Sequence, residues 1–366
     1  MTKSKKKIFI AATRQNDGKT MTSLGLFNAI KKRFPKCGYM KPVGQQYLVI
    51  DDKKVDKDAV LFQKCYQLED SFDVMSPIAV ASTFTTTYLD NPKLDFYQEK
   101  LLTSFKKLKR KNDFLLIEGT GHAGVGSIFD LSNADVAKLF GSKVILVSLG
   151  GIGRSIDEIL LNKAVFDLLG VEILGVIINK VRFDKYDKVY EYVSKALRRN
   201  QLKLLGCIPY VDFLNNPTVE DVFQKLDGKL LSHKLGFQNR IEKCVIGDTV
   251  PNEVLSSLTP NSLFIVPAAR EGLIMAALCG NLLDSEVVYF VSGIILTGGK
   301  YPHERVLSLI KRAHIPLLLV EEDSFTITTK INNMLIKIGS NDSEKIEKIQ
   351  DLCEEYVDVD FICENA

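Results

Sequence analysis

No CxxC pair occurs among the seven cysteines, at 37, 65, 207, 244, 279, 353 and 363. Scattered single cysteines exclude a zinc ribbon and supply no disulfide framework; they fit buried thiols in a reducing compartment, so a cytoplasmic location is expected. Histidine is scarce too. The four histidines stand isolated, and no Ser/His/Asp or Cys/His arrangement is present to support a nucleophilic triad. No apolar segment approaches the roughly 20 residues that a bilayer-spanning helix needs. The basic run Lys3 to Lys7 leads into one short apolar strand, not a signal-peptide core, so it reads as a solvated tail and no membrane partner is expected. A formal net charge of +3, with no basic stripe and no interleaved aromatics, excludes nucleic acid as an expected partner.

What is present is ordinary soluble composition, 46% apolar and 25% charged over 366 residues, enough for two or three domains. β-Branched apolar runs recur at Ile8 to Ala12, Phe114 to Ile117, Val144 to Ser148, Val171 to Ile178 and Leu204 to Ile208, with helix-length amphipathic stretches among them. Continuous apolar strands alternating with helices specify an α/β fold, a mostly parallel sheet flanked by helices on both faces. The first helix carries Leu24, Phe27, Ile30 and Phe34 at helical spacing, and Gly25 would let it approach the sheet closely.

The pattern breaks at Asn215 to Thr218, where Thr218 and Asp221 can form a capping box. Beyond it a second, smaller α/β unit is expected: strands at Leu263 to Val266, Val287 to Leu296 and Ile315 to Val320, and helices at Arg270 to Leu278 and His303 to Ala313. The domains are expected at 1–216 and 217–366. Ser343 to Tyr356, with Ile346, Ile349, Leu352, Cys353 and Tyr356 on one face, is expected to pack on the second of them.

Chemistry concentrates at Thr13 to Thr20, TRQNDGKT, which follows the first strand and opens a helix. A strand-to-helix turn ending in Gly-Lys-Thr provides backbone N–H groups, the positive end of a helix, a lysine for phosphate oxygens and a hydroxyl for Mg²⁺. The usual GxxxxGK[ST] spacing asks for Gly at position 13, where Thr13 stands. In an open parallel sheet, ligands bind beyond the carboxyl ends of the strands. Residues there form a set: Lys19 and Thr20, Lys41 after Cys37 to Met40, Glu118-Gly119, Gly150-Gly151 and Asn179. Two lysines, a carboxylate, glycines and an Asn at one rim suit a polyphosphate with Mg²⁺ and a base; for the metal Thr20, Glu118 and Asp58 are candidate ligands, with Asp56 the alternative to Asp58. His122 is the one histidine near this rim. Asn179-Lys180 begins an NKxD pattern, but Arg182 replaces the guanine-reading carboxylate, so ATP is expected and not GTP.

With these residues placed, positions 1 to about 215 resemble dethiobiotin synthetase, and more closely the dethiobiotin-synthetase-like N-terminal region of some phosphotransacetylases. The matching segments are the shifted loop with Thr13, Tyr39-Met40-Lys41-Pro42-Val43, Asp58-Ala59, Glu118 to Gly121, and Leu205 to Pro209. The resemblance implies a P-loop NTPase fold of the deviant Walker A group. It implies ATP and Mg²⁺ as cofactors, the metal held by Thr20, Asp58 and Glu118, and Lys19 and Lys41 on the phosphates. The loop residues Thr13, Asn16, Asp17, Gly18, Lys19, Thr20 and Met21 would line the nucleotide, Asn179 would lie near adenine, and a homodimer is implied. The signature lysine of the KGGxGKT pattern falls at Arg14, a candidate phosphate contact in its own site or a partner's.

The second unit is similar to the DRTGG domain that follows in those phosphotransacetylases: Thr297-Gly298-Gly299 matches TGG, while the Asp-Arg pair reads Ala269-Arg270. The sequence given stops after this unit, so acetyl transfer is not expected. In place of the Ser-Gly stretch of the synthetases stands Gly44-Gln45-Gln46-Tyr47, so the substrate half of the site departs from the family and biotin synthesis is not expected. Three functions follow: ATP hydrolysis or ATP-dependent phosphorylation of a small carboxylate or carbamate, with Ser82 to Thr87 as a substrate lid; a nucleotide-responsive regulatory module; or one subunit of a split phosphotransacetylase.

Overall fold

The computed structural model describes residues 5–232, 234–282, 291–334 and 336–366, with side chains left undescribed at 279–282. The chain forms two compact units, Met1–Val211 together with Ile338–Ala366, and Asp212–Lys337.

The first unit is built on six strands, β1 (Lys6–Ala12), β2 (Cys37–Met40), β3 (Phe114–Glu118), β4 (Lys143–Leu149), β5 (Ile173–Val181) and β6 (Leu204–Pro209). Their order is β6-β5-β4-β1-β3-β2, and every pairing is parallel. All five residues of β3 and the last five of β1 are buried, as continuous apolar strands covered on both faces require. The helices include α1 (Lys19–Arg33), α2 (Lys57–Tyr66), α3 (Leu94–Lys111), α4 (Gly153–Leu168) and α5 (Tyr186–Arg199). The chain runs from β1 to the edge at β2, returns to β3, then crosses β1 to β4. The strand order thus reverses about β1, and the carboxyl end of β1 opens at the switch point, where α/β sheets bind ligands.

The second unit has strands β7 (Gly228–Leu230), β8 (Lys243–Ile246), β9 (Ser262–Pro267), β10 (Val291–Thr297) and β11 (Leu317–Val320). They lie in the order β7-β11-β10-β9-β8, with only β7 antiparallel to its neighbour. Alternate residues of β9 enter two cores: Phe264 and Val266 pack with Val254, Ile274, Leu278 and Ile310 from α7 (Pro251–Ser257), α8 (Glu271–Leu282) and α9 (Glu304–Arg312). Leu263 and Ile265 face Val219, Val222 and Ile327 from α6 (Val219–Lys225) and α10 (Ser324–Asn332). The period of two along a strand makes both faces apolar here. The capping box at α6 is present, Thr218 Oγ1 accepting from the Asp221 N–H at 3.1 Å. Of the strand expected from Val287, residues 287–290 lie outside the described residues.

One expectation is corrected. Residues 338–366 belong to the first unit, so 217–366 is not one domain. Helices α11 (Ser343–Tyr356) and α12 (Val359–Asn365) lie on α1 and beside β6. A Cβ on Gly25 of α1 would fall 2.2 Å from Cys353 Sγ, so this glycine admits α11 and not, as expected, the sheet. Around that contact Gln350 Nε2 donates to Tyr66 Oη at 3.3 Å, Arg33 pairs with Glu354 at 3.1 Å and Asp360 at 2.7 Å, and the Asp358 N–H donates to the Leu205 carbonyl at 2.8 Å. The apolar stripe Ile346, Ile349, Leu352 and Cys353 is buried on the helix as its spacing predicts; periodicity fixes a face but names no partner. Among the described residues no helix is long and apolar enough to cross a membrane.

Candidate nucleotide and metal site

The loop between β1 and α1 is closed by its own side chains. Thr13 Oγ1 donates to Asp17 Oδ2 at 2.6 Å, and the Arg14 N–H donates to the same oxygen at 2.9 Å. Thr13 also meets Ser148 of β4, Oγ1 to Oγ 3.0 Å. Burial raises the Asp17 carboxyl above the ordinary value, although both of these donors oppose the shift. Gly18 has φ +86°, and a Cβ there would lie 2.0 Å from Asn179 Nδ2. Only glycine combines that backbone with that approach. As the cap of α1, Gly18 leaves the first-turn N–H groups without a side-chain acceptor, so the positive end of the helix is left for an anion.

Five side chains converge beyond this turn. Thr20 Oγ1 and Lys41 Nζ both donate to Glu118 Oε1, each at 2.9 Å, and Lys19 Nζ lies 3.8 Å from the same oxygen. Lys41 Nζ also donates to Asp58 Oδ2 at 2.7 Å. Glu118 is wholly buried and Lys41 is 3% exposed. Buried charges are tolerated only when paired, and each of these is. Burial works against the Lys41 ammonium, but the Asp58, Glu118 and Asp56 carboxylates outweigh it and hold Lys41 above the ordinary lysine value. Lys19 goes the other way, lowered to about 8 by burial and then by the Lys41 charge. Tyr39 completes the cluster, its hydroxyl donating to Glu118 Oε2 at 3.2 Å while its ring stacks on Phe62 at 3.7 Å between centroids.

The structure separates Asp58 from Asp56. Asp56 caps α2, its Oδ1 accepting from the Asp58 N–H at 2.9 Å, and it sits so close to Gly44 that a Cβ there would lie 2.4 Å from Oδ2. Burial pushes the Asp56 carboxyl up to about 6, against the pull of Lys41. Asp58, the second residue of the helix, is the carboxylate presented to Lys41.

Other candidates lie around this centre. Asn16 is exposed with φ 69°, a left-handed backbone that asparagine tolerates, and Met21 is half-buried in the first turn of α1. Asn179 is turned under the loop: its Nδ2 donates to the Asp17 carbonyl at 3.0 Å and its Oδ1 accepts from the Lys180 N–H at 2.9 Å. The Arg14 guanidinium pairs with Glu158 of α4 at 2.8 Å. His122 is exposed and accepts from the Gly124 N–H at 3.2 Å. In the segment expected to form a lid, Thr86 and Thr87 bond the Thr83 carbonyl at 3.0 and 2.8 Å, the local pattern of the short helix Phe84–Asp90.

Two asparagines escaped the sequence reading. Asn162 of α4 donates to the Thr13 carbonyl at 3.1 Å and accepts from the Ala123 N–H at 2.8 Å, tying the phosphate loop to the loop after β3. Asn133 accepts from the Thr120 N–H and donates to the carbonyls of Thr120 and His122. The available signal was a polar residue within an apolar helical stripe, Ser155, Ile159, Asn162 and Phe166, since a buried amide must find partners.

The donor set at this centre is oxygen only, a hydroxyl and two carboxylates, which is the chemistry Mg²⁺ prefers. Among the described residues no three His, Cys, Asp or Glu side chains gather to hold a metal unaided. A cation here would therefore draw further ligands from Thr20, water and phosphate.

Residues 6–218 match the family model described as an AAA domain, and residues 221–334 match the DRTGG domain. Phosphate acetyltransferase of Pseudomonas putida is 27% identical over 367 residues, covering 97% of this chain and 51% of that protein. The chain thus spans about half the length of the phosphate acetyltransferases it matches. The ATP-dependent dethiobiotin synthetase BioD of Methanocaldococcus jannaschii is 28% identical over 210 residues, covering 55% of this chain and 92% of that protein. Among solved structures, the MinC:MinD cell division protein complex of Aquifex aeolicus shares 14% identity, covering 57% of this chain and 83% of that one, with a TM-score of 0.38.

Proposed function

We infer, because the chain belongs to the AAA-domain family of P-loop proteins, that its first unit binds ATP with Mg²⁺ and passes the γ-phosphoryl group to water or to a small carboxylate or carbamate. The observation that carries this reading is the convergence of Lys19, Lys41, Thr20, Asp58 and Glu118 at the glycine-capped start of α1. Phosphoryl transfer asks a protein mainly for positioning and charge neutralisation, and two lysines at a helix N-terminus supply both. When bound, Mg²⁺ would supply Lewis acidity toward phosphate oxygens, held by Thr20, Asp58 and Glu118. Lys19 would meet the phosphates directly. Asp17, Thr13 and Asn179 act from behind, as the braces that keep the loop open to its ligand. Arg14 reaches a phosphate only by leaving Glu158.

A nucleotide-responsive regulatory role is the second reading, supported by the match of nearly the whole chain to one half of phosphate acetyltransferases and by the DRTGG unit. Turnover separates the two. Titration with ATP and GTP, followed by phosphate release with a panel of small carboxylates and amines, is expected to give ATP binding and substrate-stimulated release. Lys19→Ala should abolish both. Tight binding without turnover would favour the regulatory role, and no binding of ATP would remove both readings.

A further inference from the structure

The two carboxylates assigned to a divalent cation already share a cation, and it is covalently part of the chain. Lys41 Nζ touches Asp58 Oδ2 at 2.7 Å and Glu118 Oε1 at 2.9 Å, the latter oxygen being also the acceptor of Thr20. Metal ligands bind Mg²⁺ at about 2.1 Å, so an ion ligated through these same two oxygens would lie close beside this ammonium. Two cations held this close repel, and a site screened from water weakens that repulsion less than bulk water does. Lysine and metal therefore compete for these oxygens.

We propose that Lys41 is a built-in counter-cation for Asp58 and Glu118, which must leave the two carboxylates before they can ligate a divalent ion and is then free to meet a phosphate. The proposal rests on the reading of this centre as a Mg²⁺–nucleotide site and adds an order to it. Without ligand, the pair Asp58–Glu118 is neutralised from within, and the site keeps its shape without recruiting metal. A nucleotide offers the displaced ammonium a new anion, so metal and nucleotide assist one another through a single side chain. Lys19 is less well placed for the role, its Nζ standing 3.8 Å from Glu118 Oε1 where that of Lys41 stands at 2.9 Å.

The test uses the full chain and Mn²⁺ as a spectroscopic substitute for Mg²⁺, with metal affinity measured in the absence of nucleotide. Lys41→Met, which removes the competing charge, is expected to bind Mn²⁺ about tenfold or more tightly than the parent protein, and ATP should then improve Mn²⁺ binding less than it does in the parent. Lys41→Arg, which keeps the charge, should show no such gain. Unchanged or weaker Mn²⁺ binding by Lys41→Met, or an equal gain in Lys41→Arg, overturns the proposal. Should Lys41→Met be unfolded in chelator, millimolar Mg²⁺ is expected to restore its circular dichroism; a variant that stays unfolded with Mg²⁺ also overturns it. Nucleotide binding by the parent is measured alongside. A parent protein that binds no ATP removes the functional reading and this inference together, whereas an ATP-binding parent with no gain in Lys41→Met removes the inference alone.

Discussion

Gly18 carries two constraints at once, a left-handed φ of +86° and a neighbour 2.0 Å from where a Cβ would sit. Gly18→Ala should cost roughly 1–3 kcal/mol of stability and push the Asn179 amide off the Asp17 carbonyl. Nucleotide titration is expected to show at least a tenfold loss of affinity; an alanine variant that binds as before would show the loop needs neither constraint. Lys19 gives a second prediction. Its value of about 8 lies below the ordinary 10.5, so between these limits the unfolded chain binds the extra proton and this group makes unfolding costlier as pH rises. Ligand binding has the opposite dependence, since only the ammonium attracts phosphate. ATP affinity is expected to fall as pH rises past about 8, and Lys19→Arg to flatten that fall; a parent profile flat to pH ~9.5 would contradict it. At this scale the sequence was readable where chemistry is local. Lys19, Thr20, Lys41 and Glu118 end apolar strands or follow them, and strand ends share a rim. Spacing alone left Asp58 and Asp56 open, and only the resemblance pointed to Asp58, because which carboxylate caps α2 is a matter of backbone geometry and both have the residue type for either task. The bracing role of Asn179 was equally hidden, since its bond to the loop joins residues 162 positions apart.

At the scale of elements, α1 serves both the loop and the packing of residues far along the chain. A side chain at Gly25 must displace Cys353 and the Ile349 carbonyl, 2.2 and 2.7 Å from the added Cβ. Alanine would raise helix propensity by about 1 kcal/mol, yet overpacking costs about 1–3 kcal/mol, and the second effect should prevail because one of the two obstacles is backbone. Gly25→Ala is thus expected to lower the melting temperature and to speed hydrogen exchange in 343–356. A more stable variant with unchanged exchange there would show that α11 can yield freely. The strands and helices themselves were legible from period and composition. The partner of α11 was not, because a glycine in α1 and an apolar stripe some 320 residues later carry no mark that they belong together.

For the molecule as a whole, the alternation of apolar strands and helices identified two α/β units, and it missed that the second is inserted into the chain of the first. Eight apolar side chains, Ile346, Ile349, Leu352, Cys353, Val357, Val359, Ile362 and Cys363, are buried in the returning segment. At about 1.5–3 kcal/mol for each larger aliphatic group, their loss rivals the usual 5–15 kcal/mol that holds a domain folded. Residues 212–337 produced alone are expected to melt cooperatively. Residues 5–211 alone should not, and should regain a cooperative transition when a peptide of residues 338–366 is added. A sharp melt of 5–211 without the peptide would show that the returning helices are an ornament to the fold.

The insertion also sets a timetable. During synthesis the phosphate loop, its helix and the whole parallel sheet leave the ribosome well before the helices that cover α1, and the second unit must be translated in between. Domains that emerge first ordinarily fold first. Here the first unit emerges first and is completed later, so until residues 343–365 arrive the face of α1 that carries Gly25 is uncovered, and it stays so for as long as the second unit is being made.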